Sequence, residues 1–397
     1  MTREAGMTTN IKWYNSPVTI KFRKPCKKEL LGLLAAPVVV IVTGVVIFFG
    51  QGFHFSLQSK TIEKTGMLVV KSFPDGAKIY IDNEWKSATP DTFSNLRPKS
   101  YLLKAEKEGF STWEKQVTVY PELVTDITAV LVSTTPKLEP LTVGGAKNPS
   151  YSEATKAIAY GTTDSKAGLW VLPMGRPLPI TLFQSAPTLV MPDNLETKYS
   201  DAWDLLWSPT GDQILVKISD EDFRLIDISQ SKELLATDSA KEVSDKWQKE
   251  QIKKRQAFLE KQDITPELAT IATKSDTIWS PDERKFFYFE AEGEKTTVFV
   301  HNMEKPIPVD EKIDYKALEF ETANPPTVIW YTDSYHLITK EGNSLYLTRI
   351  DGTNKTEIYS GVMDGDTLFV TPDGNKVVIS ASFKKDAPPE LYAVSLR

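Results

Sequence analysis

A short turn motif recurs along the C-terminal two-thirds of the chain, and it constrains the fold more than any other feature. Each copy is opened by a hydrophobic or aromatic residue and is followed at once by an apolar strand. The five copies begin at Tyr151, Trp207, Trp279, Trp330 and Val370. Self-similarity at a spacing of some tens of residues indicates one small β unit that is stacked repeatedly around an axis.

Side-chain chemistry explains why these segments turn. Serine can close a local side-chain turn, proline presets φ, and glycine accepts a positive φ. The opening aromatic residue is then expected to wedge between neighbouring units. The residues predicted to shape the turns are Trp207, Ser208, Pro209, Trp279, Ser280, Pro281, Trp330, Pro372, Asp373 and Gly374.

The spacing of the copies and their sequence both favour a propeller. The copies start 56, 72, 51 and 40 residues apart, and the shortest interval matches one four-stranded blade of about 40–45 residues. The Trp-Ser-Pro-x-Gly pattern at Trp207 resembles the blade motif of TolB-like propellers. The resemblance implies a β-propeller over residues 135–397, a length that fits five or six blades.

The longest interval contains the one clearly helical stretch. Lys, Glu, Gln and Ala dominate Ser239–Lys261, and Thr265 followed by Pro266 has the pattern of a helix N-cap with proline at the first position. We therefore predict a helical insertion at about residues 239–273. Its sparse apolar residues are expected to lie on the propeller, and a protein-partner site is the alternative.

Residues 66–133 are predicted to form a small β-sandwich, because short apolar or alternating runs are separated by turn residues. The same segment resembles a PEGA domain. The residues that carry the resemblance are Gly66–Val70, Pro74–Ala77, Ile79–Asp82, Thr89–Pro90, Leu96–Pro98, Tyr101 and Lys107–Phe110. The resemblance implies a surface module of bacterial envelope proteins whose fold is similar to carbohydrate-binding domains.

Three positions depart from the PEGA pattern. Asp75 replaces the glutamate of the Pro-Glu-Gly-Ala turn, Asn83 stands where a glycine usually follows, and Lys99 occupies an expected Pro-Gly corner. Asp and Asn also favour turns, and Asn tolerates a positive φ. The geometry of the corner at Lys99 stays open.

Two tryptophans of this segment differ in their expected exposure. Trp113 shares a strand face with Val117 and Val119, so it is predicted to pack in the core. Trp85 is assigned to a turn over Asp82–Lys86 and is expected to be exposed, where it could stack on a sugar ring or on a partner protein. The alternative is that Trp85 caps the core of its own domain.

An uncharged stretch near the N-terminus predicts a membrane anchor. Leu30–Phe49 contains 20 residues without a charge, which is long enough to cross a hydrocarbon layer of about 30 Å. Seven basic and two acidic residues precede it, and this bias places the N-terminus in the cytoplasm. The predicted order is a basic tail (1–29), a transmembrane helix (30–50) and a linker (51–65). A cleaved signal peptide is the alternative, although its apolar region is usually shorter.

The charge of the exported part excludes one class of partner. The first 29 residues hold seven of the 47 basic groups and two of the 53 acidic groups, so the rest of the chain has a formal charge of −11. Nucleic acid attracts basic surfaces and is therefore not an expected partner. Cys26 is the only cysteine and precedes the predicted span, so the exported part is expected to contain no disulfide.

Residues that carry catalytic chemistry are scarce. The three histidines, His54, His301 and His336, are too scattered in the sequence to suggest a metal cluster or a nucleophile–base pair. The acidic runs Asp220–Asp222 and Asp364–Asp366 lack the ligand spacing of a calcium loop. We therefore expect no enzyme activity, cofactor or metal.

Two functions remain from the sequence. The first is a non-catalytic cell-envelope protein that is held in the bilayer through residues 30–49 and binds or scaffolds cell-wall glycan or envelope proteins on the extracytoplasmic side. The second is an extracytoplasmic enzyme that acts on glycan or peptide in the propeller funnel, where carboxylates from different blades could converge.

Overall fold

A computed structural model describes residues 37–47, 53–55 and 62–397, apart from 165, 176–185, 220, 235–238, 323–324 and 386. The chain divides into two compact units, Met1–Glu63 and Lys64–Arg397.

The N-terminal unit contains little described structure. A helix, α1, covers residues 37–47, and two short strands, β1 (Phe53–Phe55) and β2 (Ile62–Lys64), pair with each other. In the described part of the chain, no helix is both long and apolar enough to cross a bilayer. The basic tail with Cys26 and the two ends of the predicted span lie outside the described residues.

The second unit begins with a β-sandwich of two sheets. One sheet has the strand order β6-β3-β9, and the other has the order β5-β4-β7-β8. The strands are β3 (Gly66–Phe73), β4 (Lys78–Ile81), β5 (Glu84–Ala88), β6 (Asp91–Leu96), β7 (Lys99–Glu106), β8 (Trp113–Val119) and β9 (Val124–Val130). Of these, β5 and β6 were not predicted, because their residues are mostly polar and exposed.

Buried and more exposed side chains alternate along the strands, and the buried ones form the core between the two sheets. In β3 and β7 every second side chain is buried, as expected for strands with one face against a core. Leu68, Ile79 and Leu103 are fully buried, and Trp113 packs with them as predicted.

Five four-stranded antiparallel sheets follow the sandwich in the described part of the chain. In chain order their strands are β10 (Leu138–Pro140), β11 (Lys147–Ser152), β12 (Ala157–Thr162), β13 (Gly168–Pro173), β14 (Thr188–Pro192), β15 (Asp204–Trp207), β16 (Gln213–Lys217), β17 (Phe223–Asp227), β18 (Lys232–Leu234), β19 (Ile278–Trp279), β20 (Lys285–Glu292), β21 (Lys295–Asn302), β22 (Asp314–Phe320), β23 (Thr327–Trp330), β24 (His336–Glu341), β25 (Ser344–Arg349), β26 (Thr356–Ser360), β27 (Leu368–Val370), β28 (Lys376–Ala381) and β29 (Glu390–Ser395). A 3₁₀ turn, Tyr199–Asp201, precedes β15.

The two ends of this region meet in one sheet. Each of the first four sheets is built from consecutive strands, β11–β14, β15–β18, β19–β22 and β23–β26. The fifth has the order β10-β29-β28-β27, so the first strand of the region pairs with the last. Leu138 lies opposite Val394 in this pairing.

Buried clusters join neighbouring sheets. One cluster connects the first and second sheets through Ala159 and Ile214, and another connects the third and fourth through Phe287 and Leu337. Further clusters connect the fourth sheet to the fifth and the fifth back to the first. Apolar strands covered on both faces are what repeated sheets of this kind require.

Two helices occupy the connection between the second and third sheets. They are α2 (Ala240–Leu259) and α3 (Pro266–Ala272), inside the predicted insertion. Ser239 and Glu242 form a reciprocal capping box at the start of α2, an arrangement worth about 1 kcal/mol. Helix α2 contacts β16, and α3 contacts β20. The buried residues Val243 and Leu259 account for the predicted contact of the insertion with the sheets.

The sandwich packs directly on the repeated sheets. Val130 and Val132 at its C-terminal end belong to the same buried cluster as Tyr331 and Val394. The backbone N–H of Ser133 donates to the carbonyl oxygen of Leu396 at 2.7 Å. The two parts therefore share a core in addition to a surface contact.

Candidate binding surface

Trp85 lies on the edge strand β5, which corrects the expectation of a turn position. The turn is shorter than predicted, since only Asp82 and Asn83 have positive φ, at 50° and 68°. Two consecutive positive φ values produce a type I′ hairpin, which matches the twist of the flanking strands. Because the turn ends at Asn83, Trp85 is already in the strand, with 64% of its surface exposed.

Tyr80 and Lys104 share the outer face of the sheet with Trp85. Tyr80 lies opposite Trp85 on β5 and opposite Lys104 on β7. Residues directly opposite in an antiparallel pair project to the same face. The Nζ of Lys104 lies 4.7 Å from the centre of the Tyr80 ring. We call Trp85, Tyr80 and Lys104 the aromatic strip.

The other face of the same strands fixes the direction of the strip. Ile79, Ile81 and Ala105 alternate with the strip residues and are buried in the sandwich core. Successive side chains of a strand point to opposite faces. Rotating the strip inward would expose this core, so the aromatic side chains are held outward by the packing behind them.

Charge along the strip is set by a lysine–glutamate pair. Lys104 and Glu106 are 2.8 Å apart. The hydrogen bond raises the pKa of Lys104 and lowers the pKa of Glu106. Both side chains are partly exposed, at 22% and 36%, and both pKa shifts favour the charged forms, so they are charged at neutral pH and can reach hydroxyl or carboxylate groups of a ligand.

The corner at Lys99 has a simple explanation in the structure. Lys99 is the first residue of β7, and its Nζ lies 2.7 Å from Asp82 in the I′ turn. The carboxylate of Asp82 also accepts the backbone N–H of Leu102 at 3.0 Å. Two positions that depart from the PEGA pattern thus lie at the same β4–β5 turn, which supports the strip. Asn83 forms part of this turn, and Lys99 pairs with its Asp82.

A buried charge network holds the sandwich on the repeated sheets. Lys115 of β8 lies 2.5 Å from Asp351, and Asp351 lies 2.6 Å from Arg349. Arg349 also pairs with Glu311, which accepts the hydroxyl of Tyr315. Burial alone would raise the pKa of Asp351, but Arg349 and Lys115 more than offset it and hold that pKa well below its ordinary value.

Side chains of the repeated sheets also cover the free edge of β8. The N–H of Glu114 donates to the side-chain oxygen of Asn354 at 3.1 Å, and the N–H of Thr118 donates to Asp310 at 3.2 Å. Edge strands leave backbone donors unpaired, and these two contacts satisfy such donors. The opposite edge of the same sheet, β5, carries Trp85.

The tryptophans of the turn motif lie between neighbouring units. The indole N–H of Trp207 donates to the carbonyl of Ser150 in the first sheet, and that of Trp330 donates to Ile278 in the third. The indole of Trp279 instead bonds to Ala272 of α3. Helix α3 therefore occupies the position that a preceding sheet has at the other two copies.

The remaining motif residues form the turns themselves. The hydroxyls of Ser208, Ser280 and Thr371 each bond to a nearby aspartate and accept the N–H at the start of the next strand. Gly374 has a φ of 67°. Pro209, Pro281, Pro372 and Asp373 lie in these same turns.

Two histidines are buried beside carboxylates. The Nδ1 of His301 lies 2.7 Å from Asp314, and that of His336 lies 2.7 Å from Asp333. The side chain of His54 lies outside the described residues. Among the residues that the structure describes, no group of three or more His, Cys, Asp or Glu side chains could hold a metal ion.

A shallow groove lies between the third and fourth sheets, away from the aromatic strip. Its volume is about 580 Å³. The residues that line it include Glu319, Phe320, Pro326, Lys340, Glu341 and Asp366. Its carboxylates are paired with lysines, as in Lys355–Glu341 at 2.8 Å and Lys340–Asp366 at 3.3 Å. The acidic run at residue 366 thus has a structural partner.

A PEGA domain matches residues 65–135. Comparison with curated proteins gave no match. Among solved structures, an oligogalacturonate lyase in complex with manganese has 11% identity and a TM-score of 0.39, over 66% of this chain and 93% of that one. TolB from Acinetobacter baumannii has 11% identity and a TM-score of 0.26, over 74% and 60%. Residues 65–135 thus match a PEGA domain, and the five four-stranded sheets that follow, in which the first strand pairs with the last, have the arrangement of a β-propeller.

Proposed function

We propose that this protein is a membrane-tethered, non-catalytic component of the cell envelope that binds envelope glycan through the aromatic strip on the extracytoplasmic side. The observation that carries the proposal is the 64% exposure of Trp85 on a sheet face shared with Tyr80 and Lys104. A large indole held in water by the packing behind it is the kind of exposed apolar feature that marks an interaction site.

The chemistry of the strip suits a sugar chain. An indole or phenol ring presents a flat apolar face that can cover the C–H face of a sugar ring, while nearby polar groups bond to its hydroxyls. Lys104 and Glu106 supply a donor and an acceptor beside Tyr80. An extended β-sheet face fits an extended polymer better than it fits a small compact ligand.

The charges of the chain and its PEGA match support the proposed place in the cell. The uncharged stretch Leu30–Phe49 follows a basic tail, which supports a cytoplasmic N-terminus and an exported body. The PEGA match at residues 65–135 supports an envelope role. The charge network around Asp351 then holds the sandwich, and with it the aromatic strip, in a fixed position on the repeated sheets.

Ion pairing in the groove favours binding over catalysis. A general acid–base pair needs carboxylates that can change protonation near the substrate. The groove carboxylates Glu341 and Asp366 are instead engaged by lysines, Lys355 at 2.8 Å and Lys340 at 3.3 Å. We therefore place the function at the strip rather than at an acid–base site.

The test compares two exposed tryptophans. Full-length protein would be purified as wild type, Trp85→Ala and Trp203→Ala, and each would be co-sedimented with insoluble cell-wall glycan. Trp203 is the matched control, because it is also half exposed, at 50%, and lies on the propeller. We expect Trp85→Ala to weaken binding about five- to thirteenfold, in line with the loss of one stacked aromatic contact of about 1–1.5 kcal/mol.

Two results would count against the glycan site. Equal binding by wild type and Trp85→Ala would remove the strip from the proposal. Equal loss in Trp85→Ala and Trp203→Ala would indicate non-specific adhesion of exposed aromatic residues. Unchanged circular dichroism of both variants is the folding control.

A further inference from the structure

The connection from β8 to β9, which crosses between the two sheets of the sandwich, carries an exposed apolar tip. Tyr120, Leu123 and Val124 lie within five residues and are 39%, 48% and 48% exposed. We call these three residues the apolar tip. The negative charge of Glu122, which lies between these residues, is compensated by an ion pair with Lys64 at 2.6 Å.

The tip is joined to the point where the chain enters the second unit. The N–H of Met67 donates to the carbonyl of Leu123 at 3.0 Å, and the N–H of Glu122 donates to Thr65 at 2.9 Å. Gly66 packs so closely that an added Cβ would lie 2.1 Å from the carbonyl oxygen of Tyr120. The tip therefore cannot move away from Lys64 without breaking this packing.

A short linker leads from the predicted span to the same point. Only residues 50–63 separate the end of Leu30–Phe49 from Lys64. Fully extended, such a linker reaches at most about 50 Å.

We propose that the apolar tip rests in the interfacial layer of the lipid bilayer that anchors the chain. This inference rests on the membrane tether of the proposed function. Tyrosine rings are favoured at the headgroup level, and aliphatic side chains beside them can enter the acyl boundary. The sandwich then has two attachments to the membrane, one covalent through the linker and one through Tyr120, Leu123 and Val124.

The contact also sets the orientation of the exported body. The chain after residue 29 has a formal charge of −11, so electrostatic attraction to anionic lipid is not the driving force expected here. The driving force is burial of the exposed apolar surface of the tip, which is effective only because the linker keeps the local concentration of bilayer high.

The test measures depth in reconstituted bilayers. Full-length protein carrying Cys26→Ser would receive one cysteine at position 123 or, as control, at position 195, and each would be labelled with an environment-sensitive fluorophore. Leu195 is fully exposed and lies on the propeller. Vesicles of phosphatidylcholine with nitroxide-labelled lipid would quench the dye. We expect quenching at position 123 to be at least threefold stronger than at position 195.

The outcomes separate the tip from the tether. Protein that floats with the vesicles but shows equal quenching at both positions overturns the tip contact and leaves the tether standing. Protein that does not float overturns the tether and the tip contact together. A dye at position 123 that is equally shielded in detergent and in vesicles assigns the tip to the chain's own linker and overturns the lipid contact. Unchanged thermal unfolding of Leu123→Ser serves as the folding control.

Discussion

A fully buried lysine shows what single residues contribute to this structure. The ammonium of Lys285 lies 3.2 Å from Asp282, 3.0 Å from Glu304 and 4.1 Å from the centre of the Tyr335 ring. Burial removes it from water, so it depends on these partners for compensation. The repeat provides an internal comparison, since Lys376 occupies the same place after its own turn, pairs with Glu139 and is 32% exposed.

We predict that Lys285→Met destabilises the protein by about 3–5 kcal/mol, because it leaves the mostly buried carboxylate of Glu304 and the partly exposed one of Asp282 without their shared cation. Lys376→Met should cost less than about 1 kcal/mol, as expected for a partly exposed pair. Urea unfolding of the two variants measures the difference. Similar losses in both would show that burial of Lys285 does not set its energetic role.

At the scale of elements, each tryptophan of the turn motif fixes one unit to its neighbour. Trp330 is buried, and its indole N–H bonds to Ile278 of the preceding sheet at 2.9 Å. A phenylalanine could fill much of the same space but could not donate this bond. The carbonyl of Ile278 would then lose a partner.

We predict that Trp330→Phe lowers the free energy of unfolding by about 1–3 kcal/mol, since the partly buried bond to the Ile278 carbonyl is lost and the smaller ring leaves space in the core. Trp85→Phe should change stability by less than about 0.5 kcal/mol, because Trp85 is exposed on an edge strand. Thermal denaturation checks both values. A larger effect of Trp85→Phe would contradict the assignment of that residue to the surface.

Much of this element-level structure could be predicted from the sequence, for physical reasons. The turn copies at Trp207 and Trp279 have local chemistry that specifies a turn followed by a strand, and Thr265 with Pro266 specifies a helix start. In contrast, β5 is polar and short, and its place was decided by pairing with β4. The partner of Trp279 also depends on which element packs beside it, which no local pattern encodes.

The candidate site was only partly predictable for the same reason. The exposure of Trp85 follows from its polar neighbours Glu84 and Lys86. Its alignment with Tyr80 and Lys104 depends on the register of three strands, which includes a bulge between Ile79 and Tyr80. A shift of one residue would place these side chains on opposite faces.

At the scale of the whole molecule, the PEGA domain and the propeller behave as one body because charge and core cross their junction. Asp351 is central to it, being bonded to Lys115 on one side and to Arg349 on the other. Its pKa is held low in the folded protein, so its contribution to stability is present above the pKa of an unfolded aspartate and is lost as the pH falls through the folded value.

We predict that Asp351→Asn lowers stability by roughly 1–3 kcal/mol at pH 7, because two cations lose their shared carboxylate. The difference from wild type should shrink as the pH is lowered below about 4, because the aspartate of the unfolded chain takes up a proton there while the folded carboxylate stays charged. Urea unfolding from about pH 2.5 to about pH 7, a range that includes the ordinary pKa of aspartate, measures this dependence. Asp366→Asn, at an 85% exposed side chain, is the control and should have little effect at any pH. A constant difference for Asp351→Asn would exclude the carboxylate charge as the cause.

The pairing of β10 with β29 has a consequence for how the molecule is made. Residues 138–140 reach their partners only when residues 390–395 are available, so a ribosome must synthesise most of the chain before the fifth sheet can acquire its outer strand. Contacts of such long sequence separation form slowly. If the body is exported, the polypeptide can therefore cross the membrane before any complete propeller has formed. The fifth sheet gains β10 as its outer strand only after β29 has emerged.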